Sequence, residues 1–183
     1  MYNNIMRILA IVALALVMVY SLDCTDAAIP KGKKVPKGFP TSTFGHANCN
    51  LVYKTVSGVS CAELEKKVQY NVETFDPEPE AGGIYQPEKC HEGDSTGDYV
   101  WANRLTGDKK YTDDVTINFY EEGDYCRVVG FSRSRVLSVY DYSTNYCNIR
   151  NLLFHTGVEF QGAPEIVTCS YPPTDVAATC AIH

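Results

Sequence analysis

Runs rich in β-branched and aromatic residues recur along the chain and predict strands. In VTINFY, Val115, Ile117 and Phe119 alternate with polar residues, so we expect their side chains to share one face of a sheet. The EEGD that follows is typical of a hairpin turn. The predicted strands are CNLVYKTV (49–56), YVWANRL (99–105), VTINFY (115–120) and the long run from 126 to 142.

Apolar residues at helical spacing predict a first helix after Gly58. Ser60 and Glu63 match the S-x-x-E capping box, in which each residue satisfies a free amide at the start of the helix. Glu63 and Lys67 are placed as an i,i+4 ion pair, and the Asp-Pro at 76–77 ends the helix. The apolar face comprises Cys61, Leu64, Val68, Val72 and Phe75.

A second helix is predicted within and after the stretch YDYSTNYCN (140–148). Ser143 or Thr144 can cap it, Asp141 offers a further oxygen to free amides, and Asn145 falls in the first turn. The helix ends before Gly157, and its apolar face comprises Tyr146, Ile149, Leu152 and Leu153. We interpret the polar stretch as a junction that fastens a strand to a helix, with a catalytic cluster or a binding edge as alternatives.

The order of strand, helix, several strands and helix predicts an α+β fold. We expect an antiparallel sheet with two helices packed on one face, in a single disulfide-reinforced domain over residues 49–183. Residues 77–98 are rich in Pro, Gly, Glu and Asp and predict a long loop. Residues 158–183 predict a tail that wraps the surface and is pinned by a disulfide.

The first 27 residues are typical of a secretory signal peptide, with Arg7 before a short apolar run. Cleavage after Ser21 or after Ala27 fits the small-residue rule. The run is shorter than the about 20 residues that span a membrane, so we expect a secreted, extracellular protein with no transmembrane anchor. Residues 28–48, with four lysines, three prolines and three glycines, predict a flexible basic arm.

Charge and cysteine content narrow the class of protein. The net charge of −6 argues against nucleic acid as a partner. No CxxC occurs, so the cysteines lack the spacing that is typical of zinc ribbons and of thioredoxin-like proteins. In an exported chain disulfides are the default. Closeness in sequence favours the pairs Cys49–Cys61, Cys126–Cys147 and Cys169–Cys180, which leaves Cys90 over unless Cys24 is retained or a bridge joins two chains.

Three patterns could carry chemistry, and each has a simpler interpretation. GDSTG (93–97) has the letters of a hydrolase nucleophile elbow, but no apolar strand precedes Ser95 and a strand follows it, so we interpret it as a turn. The four histidines, at 46, 91, 155 and 183, lack metal-ligand spacing. The acidic residues near 113–114 and 121–124 lack the D-x-D-x-D-G loop of a calcium site.

The SRSR segment presents two arginines to one face of a strand. Arg133 and Arg135 are two residues apart, and Asp113, Asp114 and Asp141 are expected nearby. One hypothesis is a charged cleft for an anionic or zwitterionic ligand. The other, which we favour, is a structural network of arginines held by the aspartates at the start of the neighbouring strand.

The letters YTDDVTINFY, SRSR and Asp141-x-x-x-Asn145 followed by Arg150 resemble the DUF1499 family, a domain of unknown function. The resemblance covers roughly residues 60–155. The chain is also similar to small secreted eukaryotic proteins in which a C-x-V-x-G-x-S run leads to D-Y-x-T-N-Y-C-N. The resemblance implies the fold and marks Asp113, Asp114, Arg135, Asp141 and Asn145 as the motif, but it supplies no reaction.

We therefore expect a secreted, non-catalytic protein without cofactors, with a structural or interaction role towards an extracellular partner or matrix. The alternative is a carrier that holds a small ligand in an apolar cavity between the helices and the sheet. An enzyme using Asp114, Arg135 and Asp141 is a third hypothesis, for which the sequence indicates no reaction.

Overall fold

The computed structural model describes residues 44–88, 99–138 and 140–183. The predicted signal peptide, most of the predicted basic arm, Cys24, Cys90, His91 and the GDSTG segment lie outside these residues.

A six-stranded antiparallel sheet forms the framework of the described chain, in the order β2-β3-β4-β5-β1-β6. The hairpin of β4 and β5 lies at its centre. These are the two longest strands, and they pair from Asp113↔Ser134 to Glu122↔Tyr125. The strands are β1 (Asn48–Lys54), β2 (Ile84–Pro87), β3 (Tyr99–Leu105), β4 (Thr112–Glu122), β5 (Tyr125–Ser134) and β6 (Glu165–Cys169).

Helix α1 (Cys61–Thr74) confirms the first predicted helix. The Ser60 hydroxyl accepts a hydrogen bond from the backbone N–H of Glu63 at 3.2 Å, which confirms the serine half of the predicted capping box. Lys67 Nζ lies 3.4 Å from Glu63 Oε1. The five residues of the predicted apolar face are all buried.

Helix α2 (Thr144–Phe154) is the second predicted helix, and Tyr146, Ile149, Leu152 and Leu153 are all buried. It packs closely on β5, because Gly130 leaves no room for a side chain there and any Cβ would collide with Ile149. A short third helix, α3 (Val176–Cys180), follows β6.

One hydrophobic core joins the sheet and the two longer helices. Alternate residues of the strands enter it, so the period of two predicted for β4 is confirmed at Val115, Ile117 and Phe119. The fold is therefore α+β, and three disulfides reinforce it.

Two predicted boundaries were wrong. Residues 77–98 were expected to form a loop, but Ile84–Pro87 pairs with β3 from Ile84↔Leu105 to Pro87↔Ala102. The run from 126 to 142 was expected to be one strand, but β5 ends at Ser134. Its neighbours β4 and β1 begin at Thr112 and Asn48, and beyond Ser134 the regular ladder gives way to an isolated bridge between His46 and Ser138.

The disulfide pairing was also wrong, although the six cysteines are those predicted to be bridged. Strand pairing places cysteines together that are far apart in sequence, as in the register Cys49↔Cys169. The tail is pinned by two bridges, one to β1 and one to α2. The observed pairs are Cys49–Cys169, Cys61–Cys126 and Cys147–Cys180.

Candidate functional site

The sheet divides the predicted motif into two groups. Asp113 and Asp114 are consecutive in β4, so their side chains point to opposite faces. We call the group around the start of α2 the buried polar cluster, which comprises Asp113, Ser132, Ser134, Asp141, Asn145 and Asn148. We call the group on the other face the arginine cluster, which comprises Glu88, Asn103, Asp114, Arg133 and Arg135.

Asn145 is the centre of the buried polar cluster and is completely buried. Its side-chain NH₂ donates to Asp141 Oδ2 at 2.7 Å, to Ser134 Oγ at 3.1 Å and to the backbone oxygen of Ala47 at 3.1 Å. Its Oδ1 accepts from Ser132 Oγ at 2.7 Å. One side chain therefore connects α2 to β5 and to the segment before β1.

Asn148 connects the next turn of α2 to the sheet. Its Nδ2 lies 2.9 Å from Asp113 Oδ2 and 3.0 Å from Ser132 Oγ, while its backbone oxygen accepts from the Tyr85 hydroxyl at 3.0 Å. Burial raises the pKa of the Asp113 carboxyl, although hydrogen bonds from Asn148 and Ser134 counteract the effect. Asp113 is thus held inside the protein as a hydrogen-bond acceptor rather than presented to solvent.

The first turn of α2 is capped by Asp141. Asp141 Oδ2 accepts from the backbone N–H of Asn145 at 3.1 Å, and Oδ1 accepts from that of Ser143 at 3.4 Å. The prediction of a capping hydroxyl at Ser143 or Thr144 was wrong. Ser143 has φ of 71° and its side chain makes no capping bond, and the Thr144 hydroxyl donates to the backbone oxygen of Asp141. Tyr142 also has a positive φ, of 52°. Two successive non-glycine residues in the left-handed region are strained.

In the arginine cluster, Arg135 is held by the strand-start aspartate as the structural hypothesis predicts. Arg135 Nε and Nη2 lie 3.0 Å and 2.7 Å from Asp114 Oδ1, and Nη2 also contacts Glu88 and Asn103. The hydrogen bond that Arg135 donates to Asp114 raises the pKa of the guanidinium. Arg133 is buried and pairs in register with Asp114 across the strands, but no described residue accepts a hydrogen bond from its Nε.

A buried ion pair between Glu78 and Arg104 was missed by sequence reasoning. Both side chains are almost inaccessible, and Arg104 Nε donates to Glu78 Oε1 at 3.1 Å. Arg104 also lies over the ring of Tyr85, 5.8 Å from its centroid. A signal was present in YVWANRL, since the alternation that buries Val100 and Ala102 places Arg104 on the same face.

The histidines and acidic residues considered as ligands are dispersed. His46 Nδ1 lies 2.9 Å from the backbone oxygen of Ser134, and His155 contacts the ring of Phe75. Burial lowers the pKa of His183. Within residues 44–88, 99–138 and 140–183, no group of three or more potential ligands is arranged to hold a metal ion.

The acidic turn between β4 and β5 has structural contacts. Glu121 Oε1 accepts from the backbone N–H of Cys61 at 2.7 Å, at the start of α1. Glu122 pairs with Arg127, and Asp124 accepts from the hydroxyl of Ser57. Glu121 and Asp124 therefore join the hairpin to the chain around the start of α1, and Glu122 links its two strands.

An apolar cleft of about 300 Å³ opens beside α2. The predicted carrier cavity was placed between the helices and the sheet, but only Tyr53 of the sheet lines this cleft. Its other walls come from α2, from residues 160–164 and from α3. The residues that line it include Tyr53, Tyr146, Arg150, Leu153, Phe154 and Phe160.

The stretch YDYSTNYCN also exposes aromatic rings. Tyr140 is 67% and Tyr142 72% exposed, and the ring of Tyr140 lies 5.5 Å from that of Tyr171. We call these three residues the tyrosine surface. Tyr146, four residues after Tyr142, points inward as predicted. The same stretch therefore has a buried polar side and an exposed aromatic side.

No family model and no curated protein matches the chain. Among solved structures, the crystal structure of protein CV1439 from Chromobacterium violaceum is similar, with a TM-score of 0.37 and 7% sequence identity. The match covers 59% of this chain and 94% of that one. No helix in the described part of the chain is long and apolar enough to cross a membrane.

Proposed function

We propose that the protein is a secreted, non-catalytic domain that acts by binding extracellular material through its tyrosine surface. The observation that carries the proposal is the strained turn at Tyr142 and Ser143, which the carboxylate of Asp141 holds in place. Strain of this kind persists only where the surroundings impose it, and it is frequent at binding sites. The exposed rings offer large, rigid contact area at a small entropic cost.

The setting of the motif supports a role in architecture rather than in catalysis. The carboxylates of Asp113 and Asp141 are buried and already accept hydrogen bonds from asparagine side chains. A general acid or base must come within hydrogen-bond reach of the proton that it transfers. Three disulfides fit a protein made for an oxidising compartment.

Sedimentation with insoluble extracellular material from the source tissue tests the proposal. We expect the double variant Tyr140→Ser/Tyr142→Ser to remain in the supernatant while wild type sediments. The matched control is Tyr70→Ser/Tyr111→Ser, since both of these tyrosines are exposed elsewhere on the molecule. Equal sedimentation of both double variants would contradict the role of the tyrosine surface. Prior treatment of the material with protease or with glycosidases distinguishes a protein partner from a glycan.

A second candidate function is that of a small-ligand carrier, and the cleft beside α2 favours it. Its volume of about 300 Å³ falls at the lower end of the range for small-molecule sites. Its walls are mostly apolar, with a few polar groups that could orient a ligand.

We also propose that the chain is a DUF1499-like domain in which both longer helices cover one face of the sheet. The order and convergence of the motif support this proposal, because Asp113, Asp141 and Asn145 meet between β4, β5 and α2.

A further inference from the structure

We propose that the cleft beside α2 binds a monoanionic amphiphile, a fatty-acid carboxylate of medium chain length, with its headgroup at Arg150, Tyr53 and Tyr146. The proposal rests on the second candidate function and names the class of ligand. It does not depend on the tyrosine surface, whose residues lie before α2 and after β6.

Arg150 provides a positive charge in an otherwise apolar cleft. Its guanidinium lies 3.8 Å above the ring of Phe154, and Nη1 donates to Asn151 Oδ1 at 3.0 Å. No carboxylate among the described residues lies within ion-pair distance of it. Since one amide oxygen and one ring leave most of its five N–H groups available, Arg150 can bind a carboxylate through two parallel hydrogen bonds.

Tyr53 provides a second hydroxyl at the cleft. This hydroxyl is buried, and the Tyr53 side chain lines the cleft. Its polar neighbour is the hydroxyl of Tyr146, and burial and the hydrogen bond between the two phenols both raise the pKa of Tyr53. A carboxylate beside Arg150 would be a stronger acceptor for the Tyr53 hydroxyl than a phenol, because it carries a negative charge.

The two phenols and the guanidinium lie close enough to influence each other. Burial and the neighbouring Tyr146 raise the pKa of Tyr53, whereas Arg150 lowers it. Burial also raises the pKa of Tyr146, and Tyr53 and Arg150 counteract this. Both hydroxyls therefore keep their protons at neutral pH and can donate to an anion near Arg150.

The remaining walls suit an aliphatic tail. Leu153, Phe160, Pro164 and Val176 supply apolar surface without a formal charge. A cleft of about 300 Å³ accepts a short or medium chain and not a diacyl lipid. One cationic end and one apolar wall together select a molecule with a single anionic headgroup and a single tail.

Isothermal titration calorimetry of the full secreted protein with decanoate tests this inference. We expect saturable binding of one decanoate per chain. Decyltrimethylammonium should bind at least about tenfold more weakly, because its headgroup cannot accept hydrogen bonds and is repelled by Arg150. Titration with decanol distinguishes the carrier function from the preference for an anionic headgroup. If it binds as tightly as decanoate, the carrier function stands and the preference for an anion is overturned, whereas if neither binds, both fail.

Two variants locate the headgroup. Arg150→Gln should weaken decanoate binding about tenfold or more, whereas Arg127→Gln should not, because Arg127 stacks on a ring in the same way but does not line the cleft. Tyr53→Phe should weaken decanoate binding, because it removes a hydroxyl that can donate to the headgroup, while the ligand-free variant stays folded, as its circular dichroism spectrum would show. Wild-type affinity in Arg150→Gln and Tyr53→Phe, or binding that does not saturate, would overturn the assignment.

Discussion

Asn145 donates to the same carboxylate oxygen of Asp141 through both its backbone and its side-chain amide, at 3.1 Å and 2.7 Å. The backbone bond caps α2, and the side-chain bond orients the amide so that it can also reach Ser134 and Ala47. A helix cap and a tertiary anchor are therefore the same interaction. This pair therefore contributes to the position of α2 on the sheet.

The buried pair Glu78–Arg104 should be strongly coupled. Breaking it with Arg104→Met leaves an isolated buried carboxylate, and we expect the free energy of unfolding to fall by about 3–5 kcal/mol. The double variant Arg104→Met/Glu78→Leu should be less destabilised than the sum of its single variants. Chemical denaturation of all four proteins gives the coupling. The exposed pair Glu122–Arg127 serves as the control and should couple by less than about 1 kcal/mol.

The disulfides should contribute according to the length of chain that they close. Cys49–Cys169 spans 120 residues and Cys147–Cys180 spans 33. We expect Cys49→Ala/Cys169→Ala to lower the free energy of unfolding by about 2–5 kcal/mol, and by roughly 1 kcal/mol more than Cys147→Ala/Cys180→Ala. Denaturant titration of the two double variants checks the order. A larger loss for the shorter loop would contradict the entropic account.

Asp113 predicts a definite pH dependence of stability. Burial raises its folded-state pKa above the unfolded value, so its contribution is complete below the unfolded pKa of about 4 and is lost as pH rises through the folded pKa. The free energy of unfolding of wild type minus that of Asp113→Asn should therefore decrease as pH is raised.

Asp108 offers a control of opposite sign, because hydrogen bonds from Thr106 and Lys110 lower its pKa to about 2. The corresponding difference for Asp108→Asn should increase from low pH and level off above about pH 4. Denaturation curves for the three proteins at several pH values measure both slopes. A difference for Asp113→Asn that is flat or rises with pH would contradict the sign.

Ser143→Gly should stabilise the protein. The φ of 71° at this position is unfavourable for serine and favourable for glycine, and the serine side chain makes no capping bond that would be lost. We expect a gain of up to about 1 kcal/mol in the free energy of unfolding. Ser60→Gly is the control and should be destabilising by a few tenths of a kcal/mol, because its hydroxyl caps α1 at an ordinary φ. A loss of stability in Ser143→Gly would show that the turn is not strained.

Local patterns were sufficient to predict both longer helices and the central hairpin. The capping box at Ser60 and the helical spacing of Leu64, Val68 and Val72 depend on residues close together in sequence. The same holds for the alternation in β4. Each of these elements carries its own apolar face, so pattern and structure agree.

Features that depend on distant segments could not be derived in the same way. The strand Ile84–Pro87 forms because it can pair with the edge of β3. The disulfide Cys49–Cys169 forms because β6 pairs with β1. Asp113 and Asp114 are adjacent in sequence, so a strand is expected to place their side chains on opposite faces of the sheet. The residues that each aspartate contacts on its face could not be predicted in this way. Glu78 was missed because a carboxylate between two prolines gives no indication of the buried arginine that it meets.

The central claim is that the buried polar cluster is an architectural device that anchors α2 to the sheet, and the unfolding free energy of Asn145→Ala tests it most directly. Four hydrogen-bonding contacts of a fully buried side chain are lost in this variant. We predict a decrease of about 2–4 kcal/mol, against less than about 1 kcal/mol for Asn118→Ala, whose side chain donates to one acceptor among the described residues, the backbone oxygen of Val129 at 3.4 Å. Equal and small losses in the two variants would contradict the claim.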